Sequence, residues 1–279
     1  MLVNIYNAKK QFGDFLAIDN INITINKGEI HGVIGENGAG KTTLIKSLVG
    51  IYELDSGTIE VLGEPVYENK LVKQKIGYVA DQNQYFKNYK LEDLVRFYED
   101  TYPTFSREKF NQYNTYSPLK LNKKVYQLSK GMQMRLALML NLSIFPEFIV
   151  LDEPTSGLDA IAKKEILGWI IAEVEEREMS VLISSHHLME LEKICDTISM
   201  IHQGKITYQT TVDGLKEQIR KVQVVFSGEV PDLQKWSEVL EVSNIGSVYY
   251  IVTNKFDDIF VNKLSTCGVK LLEIIPLTL

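Results

Sequence analysis

The stretch Gly35-Glu36-Asn37-Gly38-Ala39-Gly40-Lys41-Thr42 constrains this chain more than any other feature. It follows the β-branched run Glu29-Ile30-His31-Gly32-Val33-Ile34 and leads into Lys41 to Gly50, where Leu44, Ile45, Leu48 and Val49 recur at helical spacing. A strand, a glycine-rich turn and a helix in that order, with glycine, four residues and then Gly-Lys-Thr, form a cradle for phosphate. Glycines at 38 and 40 let backbone N–H groups converge on phosphate oxygens, and the start of the helix adds its positive end. Lys41 is placed to reach the β and γ phosphates as a point charge, Thr42 to offer its hydroxyl to Mg²⁺, and Thr43 to bond the α phosphate. The expected ligand is a nucleoside triphosphate, held along residues 35–43.

A second apolar strand, Phe148-Ile149-Val150-Leu151, ends abruptly in Asp152 and Glu153. This places two acids at the carboxyl edge of a parallel sheet, where ligands bind in such folds and where burying unpaired charge is costly. Asp152 suits Mg²⁺, and Glu153, one residue on, suits polarising the water that attacks the γ phosphate. A third strand, Val181-Leu182-Ile183-Ser184-Ser185, delivers His186 and His187 to the same edge, and spacing alone leaves both imidazoles as partners for the γ phosphate.

The rest of the chain arranges itself around this αβ unit. Leu2 to Tyr6 and Ile21 to Ile25, separated by Phe12-Gly13-Asp14-Phe15, read as antiparallel strands, and Gly57 to Leu62 and Lys75 to Ala80 add two more. From Leu91 to about Phe145 the pattern turns helical, and ten Tyr and Phe residues fall between Tyr85 and Tyr116. They are core packing or, for some, a groove for a partner's helix. The helix Lys163 to Glu176 and a closing hairpin around Gln203-Gly204 complete a main domain that ends near Thr210. Beyond the loop Thr211-Val212-Asp213-Gly214, strands at Val222–Phe226, Val248–Thr253 and Val269–Ile275 and a helix at Phe256–Ser265 predict a small α+β appendage.

Composition excludes several function classes. With 45% hydrophobic and 24% charged residues in 279, the chain folds rather than stays disordered. Its net charge of −6, from 30 Lys and Arg against 36 Asp and Glu, argues against binding nucleic acid through bulk positive charge. The two cysteines, Cys195 and Cys267, have neither metal-ligand spacing nor the density of a disulfide framework, which favours a reducing compartment. The best apolar run, Leu136 to Phe145, is too short to span a membrane, and the opening Met1-Leu2-Val3-Asn4-Ile5 shows no secretory signal. A membrane role has to come through a partner.

Taken together, these motifs resemble those of the nucleotide-binding subunit of ATP-binding-cassette (ABC) transporters over residues 1 to about 210. The loop 35–42 matches Walker A and the strand 148–153 Walker B. Leu128-Ser129-Lys130-Gly131-Met132 is similar to the signature usually written LSGGQ, and Ser156-Gly157-Leu158-Asp159 to the D-loop. His186 matches the switch histidine, and Phe12, just before Gly13, the aromatic that stacks on adenine. Two of the motifs depart from the family pattern. Lys130 and Met132 alter the signature while Ser129 and Gly131 survive, a form resembling the ABC-2 type exporters that include antibiotic and peptide efflux systems. Where the family keeps its Q-loop glutamine, after Gly77-Tyr78-Val79-Ala80, stands Asp81, with Gln82 next, so either one takes the Mg²⁺ contact.

The resemblance implies a P-loop NTPase cassette at residues 1–210, a RecA-like core with an antiparallel β subdomain and an α-helical subdomain at about 84–147, followed by a C-terminal α+β domain at 211–279. It implies ATP and Mg²⁺ as cofactors, Glu153 and His186 as catalytic residues, and ATP sandwiched between two cassettes. Each Walker A loop then faces Ser129 and Gly131 of the other copy, with Asp159 at the same interface. It also implies an integral membrane permease as partner at the cytoplasmic face, ATP hydrolysis that powers export, and no nucleic acid. The other readings are a soluble, non-transport ABC ATPase and a nucleotide-gated regulatory module.

Overall fold

Phe12 and Phe15 face each other across the turn Gly13-Asp14, so the chain folds back on itself within its first fifteen residues. This turn joins β1 (Val3–Phe12) to an antiparallel β2 (Phe15–Ile25), and both continue further than the apolar runs alone suggest. Next come β3 (Ile30–Ile34), α1 (Lys41–Leu48), β4 (Ser56–Val61), β5 (Glu64–Pro65), α2 (Lys70–Lys73) and β6 (Ile76–Val79). The helical stretch contains α3 (Leu91–Thr101), α4 (Arg107–Tyr116) and α5 (Lys130–Leu142). After it run β7 (Phe148–Leu151), α6 (Ala160–Arg177), β8 (Ser180–Ser185), α7 (Leu188–Leu191), β9 (Thr197–His202) and β10 (Lys205–Thr211). The last elements are α8 (Val212–Gln218), β11 (Arg220–Phe226), β12 (Val239–Ile245), β13 (Val248–Thr253), α9 (Asp258–Ser265) and β14 (Val269–Ile275). The computed structural model describes residues 1–81, 87–218, 220–228, 230–253 and 255–275.

The chain divides into two compact units, Met1–Gln209 and Thr210–Leu279. The first holds two sheets. One is antiparallel, in the order β2-β1-β4-β5; the other runs β10-β9-β3-β8-β7-β6. In the second sheet β9, β3, β8, β7 and β6 are mutually parallel. Its central strands are buried on both faces, as expected where helices cover a parallel sheet. Helix α1 sits between the two sheets: its fully buried Leu44, Ile45 and Leu48 share one apolar cluster with Ile5, Ile18 and Ile21 from one sheet and Val33, Val150 and Leu182 from the other. At roughly 1.5–3 kcal/mol for each buried aliphatic side chain, this contact clamps the helix whose first turn opens the phosphate cradle.

The helical stretch is tied to the parallel sheet by polar bonds at buried positions. Asn141 Oδ1 of α5 accepts from Tyr78 N of β6 at 3.0 Å. Glu173 of α6, 1% exposed, accepts from Tyr113 Oη at 2.5 Å and Arg177 Nε at 2.5 Å and lies 2.7 Å from Lys109 Nζ. Burial opposes ionisation of Glu173, but these three donors win and hold its carboxyl below the usual range. Of the aromatic residues in this stretch, Phe110 and Tyr113 are core, whereas Tyr89, Phe97 and Tyr116 are exposed. Tyr85 and Phe86 lie outside the described residues.

In the second unit, β12-β13-β11-β14 form an antiparallel sheet. It is packed around Val222, Val224, Ile251, Phe260 and Leu264, the last two from α9. Two elements here differ from the sequence expectation. Residues 211–214 were expected to form a loop, yet Val212 starts α8, whose Val212 and Leu215 are buried one helical turn apart. The strand β12 was not expected at all. Among the described residues, no helix is long and apolar enough to cross a membrane.

Candidate functional site

Parallel pairing sets the geometry of the site. Val33 and Ile34 of β3 lie beside Ser184 and Ser185 of β8, and Leu151 of β7 beside Ile183. The segments that follow these three strands therefore leave the sheet at one edge: the glycine loop after β3, Asp152-Glu153 after β7 and His186 after β8. The glycine loop and Asp152-Glu153 line a cavity of about 280 Å³, with Glu36, Asn37, Lys41, Thr42 and Thr43 on its wall, and His186 lines a neighbouring cavity on the other side of Glu36 and Asn37.

The loop's glycines answer different demands. At Gly35 an added Cβ would stand 2.4 Å from the Ile201 carbonyl oxygen, and at Gly40 2.6 Å from that of Ala17. Gly38, at φ 84°, has open space where a side chain would go and lines the cavity. That combination, backbone N–H groups at a helix start with nothing projecting over them, fits a polyanion. Ala39 is buried.

Lys41, 6% exposed, is wrapped by oxygen. Its Nζ donates to Gly35 O at 2.6 Å and Glu36 O at 3.2 Å. It also stands 3.1 Å from Glu153 Oε1, without the alignment of a hydrogen bond, so that buried carboxylate oxygen has an ion-pair neighbour but no hydrogen-bond donor. The other oxygen, Oε2, is 2.7 Å from His186 Nδ1. Glu153 holds this position between Lys41 and His186 through a left-handed backbone, φ 51°, a conformation that costs a non-glycine residue of order 1–3 kcal/mol and is concentrated at functional sites.

Asp152 is 4% exposed and accepts from Thr42 Oγ1 at 3.0 Å and Ser184 Oγ at 2.8 Å. Ser184 in turn accepts from Glu153 N at 3.0 Å, so one serine orients both acids. Burial raises the Asp152 pKa above the ordinary carboxylate value; the two hydroxyl donors oppose this, and the nearby negative charges of Glu153 and Asp81 reinforce it. A carboxylate in that position gains from a cation beside it. The donors present, one hydroxyl and one carboxylate, fit magnesium that takes its remaining ligands from phosphate and water. Among the described residues no three His, Cys, Asp or Glu side chains cluster into a dedicated metal cage.

The structure thus brings residues 35–43, Asp152 and Glu153 together, with Asp81 in the same cavity lining and His186 joined to the group through its contact with Glu153. The His187 ring lies against that of His186, centroids 3.9 Å apart and planes tilted by 45°, and of the two His186 bonds Glu153. Gln82 lies outside the described residues. Other predicted residues stand apart from the cavity lining. Ser129 caps α5, accepting from Met132 N at 3.3 Å, and Gly131 follows it in the first turn. Asp159 caps α6, accepting from Ala162 N at 2.9 Å. Phe12 is not in the cavity lining itself; its ring, partly exposed, packs edge-on against Tyr52 with centroids 5.2 Å apart. Its cross-strand neighbour Phe15, 63% exposed, lines the cavity instead, together with Ala17. Sequence reasoning missed both of these, and also Ser184, whose signal was a serine at the end of an otherwise apolar buried strand.

Comparison with known proteins agrees with this geometry. A family model described as ABC transporter matches residues 18–156. The chain is 32% identical over 261 residues to the ABC transporter ATP-binding protein YtrB of Bacillus subtilis (strain 168), across 92% of this chain and 88% of YtrB. It is 33% identical to the lantibiotic transport ATP-binding protein SrtF of Streptococcus pyogenes, across 81% of this chain and 98% of SrtF. Among solved structures, a dimeric ATP-binding cassette bound to ADP and Pi in a post-hydrolysis state shares the fold. Its TM-score is 0.66 at 23% identity, across 76% of this chain and 99% of that one. A phosphate cradle, two acids and a histidine on one sheet edge, in a chain aligned nearly end to end with such relatives, make this protein a member of the ABC transporter family and an ATP-binding subunit of that kind.

Proposed function

We propose that the chain hydrolyses ATP with Mg²⁺ as a member of a cassette dimer, and that the cycle powers export through a separate integral membrane permease at the cytoplasmic face of the membrane. The observation that carries this reading is the line Lys41, Glu153 and His186, at 3.1 Å and 2.7 Å, beside the Thr42–Asp152 pair. Residues 35–43 hold the triphosphate; Thr42 and Asp152, with Asp81, hold the metal. Bound magnesium supplies charge neutralisation on the transferring phosphoryl group. Glu153 accepts the proton of the attacking water, and His186 fixes the carboxylate through Oε2 and meets the γ phosphate. The retained Glu153–His186 contact disfavours a non-hydrolytic regulatory module.

Ser129 and Asp159, which cap helices, and Gly131, in the first turn after Ser129, lie outside the lining of the chain's own cavity and serve the second copy's nucleotide. The dimeric, ADP-bound form of the solved relative supports this arrangement. Residues 1–210 form the cassette and 211–279 an accessory domain. The lantibiotic transport named for SrtF, and the LSKGM form of the signature, support outward transport. In Glu153→Gln the amide cannot take the water's proton. Steady-state ATP turnover should fall at least a hundredfold while ATP affinity stays within a few-fold and the ATP-bound dimer lives longer. Undiminished turnover in that variant overturns the assigned base.

A further inference from the structure

The two places where this chain departs from the common motifs meet in space. Lys130 stands in the signature where a small residue is usual, Asp81 stands where a glutamine is expected, and Lys130 Nζ donates to Asp81 Oδ1 at 3.0 Å across 49 positions of sequence. Asp81 leaves the end of β6, lines the nucleotide cavity and is close enough to Asp152 for its charge to disfavour ionisation there. Lys130 opens α5 directly after Ser129, and its side chain lies over the loop after β7. A Cβ on Gly157 would stand 3.7 Å from both Lys130 Cδ and Nζ.

One end of this ion pair therefore belongs to the chain's own nucleotide site. The other belongs to the surface that addresses the partner's nucleotide. Both side chains are well solvated, 45% and 36% exposed, and pairs of that kind brace a fold only weakly. A contact that contributes little to stability and joins two functional segments is suited to being broken. Asp81 also has a stronger suitor than an ammonium group: a divalent cation prefers hard carboxylate oxygen and carries twice the charge.

We propose that Asp81 and Lys130 form a latch between the two nucleotide sites of the dimer. Lys130 is an added cationic contact for the partner's triphosphate, and Asp81 masks it until metal and ATP in the chain's own cleft draw Asp81 away. A glycine at this signature position supplies only a backbone N–H; the lysine supplies a charge-assisted bond to phosphate as well. Loading one site thereby arms the surface that closes over the other. This inference rests on the sandwiched dimer proposed above and adds a coupling between its halves.

The test uses the full chain carrying Glu153→Gln, with ATP-driven dimerisation followed by sedimentation and ATP binding to the monomer by calorimetry. Lys130→Gln should raise the dimer dissociation constant about tenfold at saturating ATP and magnesium while leaving monomer ATP affinity unchanged, and Lys130→Arg should restore the dimer. With magnesium chelated and ATP raised to equal occupancy, Asp81→Asn should dimerise more tightly than its parent, and adding Lys130→Gln should abolish that gain. Equal dimerisation by the parent and Lys130→Gln, or additive effects of the two substitutions without magnesium, overturns the latch alone. A parent that binds no ATP overturns the cassette reading beneath it, and one that binds ATP yet stays monomeric overturns the sandwiched dimer and with it the latch.

Discussion

The glycines of the phosphate loop separate what the fold needs from what the ligand needs. Gly40 has φ 110°, and a methyl group there meets the backbone carbonyl of Ala17 at 2.6 Å, an atom anchored in β2 that has no freedom to withdraw. Gly38 has φ 84° and nothing within 4 Å of an added Cβ. Gly38→Ala should therefore cost about 1–2 kcal/mol, the ordinary penalty for a left-handed alanine, while Gly40→Ala costs more than about 3 kcal/mol because a steric clash adds to it. Urea unfolding distinguishes the two. Calorimetry on folded Gly38→Ala should show ATP affinity reduced at least tenfold, since the new methyl occupies the path of the phosphates; equal stability loss in the two variants would contradict this division. At this scale the sequence was informative, because chemistry by type and spacing leaves a local trace: Lys41, Thr42, Asp152 and Glu153 could be placed before any fold was known. The contact between Phe12 and Tyr52 left no such trace, because the two rings lie forty residues apart in sequence.

Strands and helices were legible where both ends of an element carry a signal. Strand β3, the loop and α1 alternate apolar period, glycine and apolar period, and they fold as that alternation predicts. Strand β12 was hidden because Val239–Ile245 mixes apolar residues with Glu241, Ser243 and Asn244, and only its pairing with β13 makes it extended. Helix α8 was hidden behind Gly214, although the buried Val212 and Leu215 at a spacing of three were its trace. A further element-scale feature concerns the entrance to β3. Glu29 precedes the strand, its Oε2 accepts from Asn26 N at 2.8 Å, its Oε1 accepts from Thr197 of β9, and His31 Nδ1 lies 3.6 Å away. Burial resists ionisation of this carboxyl, but the adjacent His31 imidazole and the bonds from Thr197 and the Asn26 backbone win, lowering its pKa from 4.5 to about 2. A carboxyl depressed in the folded state stabilises the fold above its unfolded pKa and loses that contribution as pH falls from 4.5 toward about 2. Glu29→Gln should then destabilise the chain by on the order of 1–2 kcal/mol at pH 7, discounted from the full shift for solvent access. The gap between variant and parent should narrow in urea titrations taken below pH 4.5. A gap independent of pH would mean that packing, not charge, is what Glu29 supplies to β3.

For the molecule as a whole, the two units carry different obligations. Every residue lining the nucleotide cavity lies within Met1–Gln209, and the ABC transporter family match, residues 18–156, lies there too. The second unit is held by its own cluster, in which Phe260 and Leu264 of α9 fill the space beneath Val222, Val224 and Ile251. With few fully buried side chains in so short a segment, the unit has little stability to spare, since small cores bury a smaller share of the surface that the unfolded chain exposes. Removing a ring as large as that of Phe260, 1% exposed, is expected to cost about 3–5 kcal/mol, enough to unfold a unit of this size. In the full chain, Phe260→Ala should therefore raise amide exchange throughout 220–275 toward the unprotected rate. The amides of β3, β7 and β8 should stay protected, and ATP affinity should remain within twofold of the parent. If exchange rose equally in β3 and β8, or if ATP affinity fell tenfold, the C-terminal unit would have to be counted as part of what holds the cradle in shape, and its placement as an accessory to the cassette would fail.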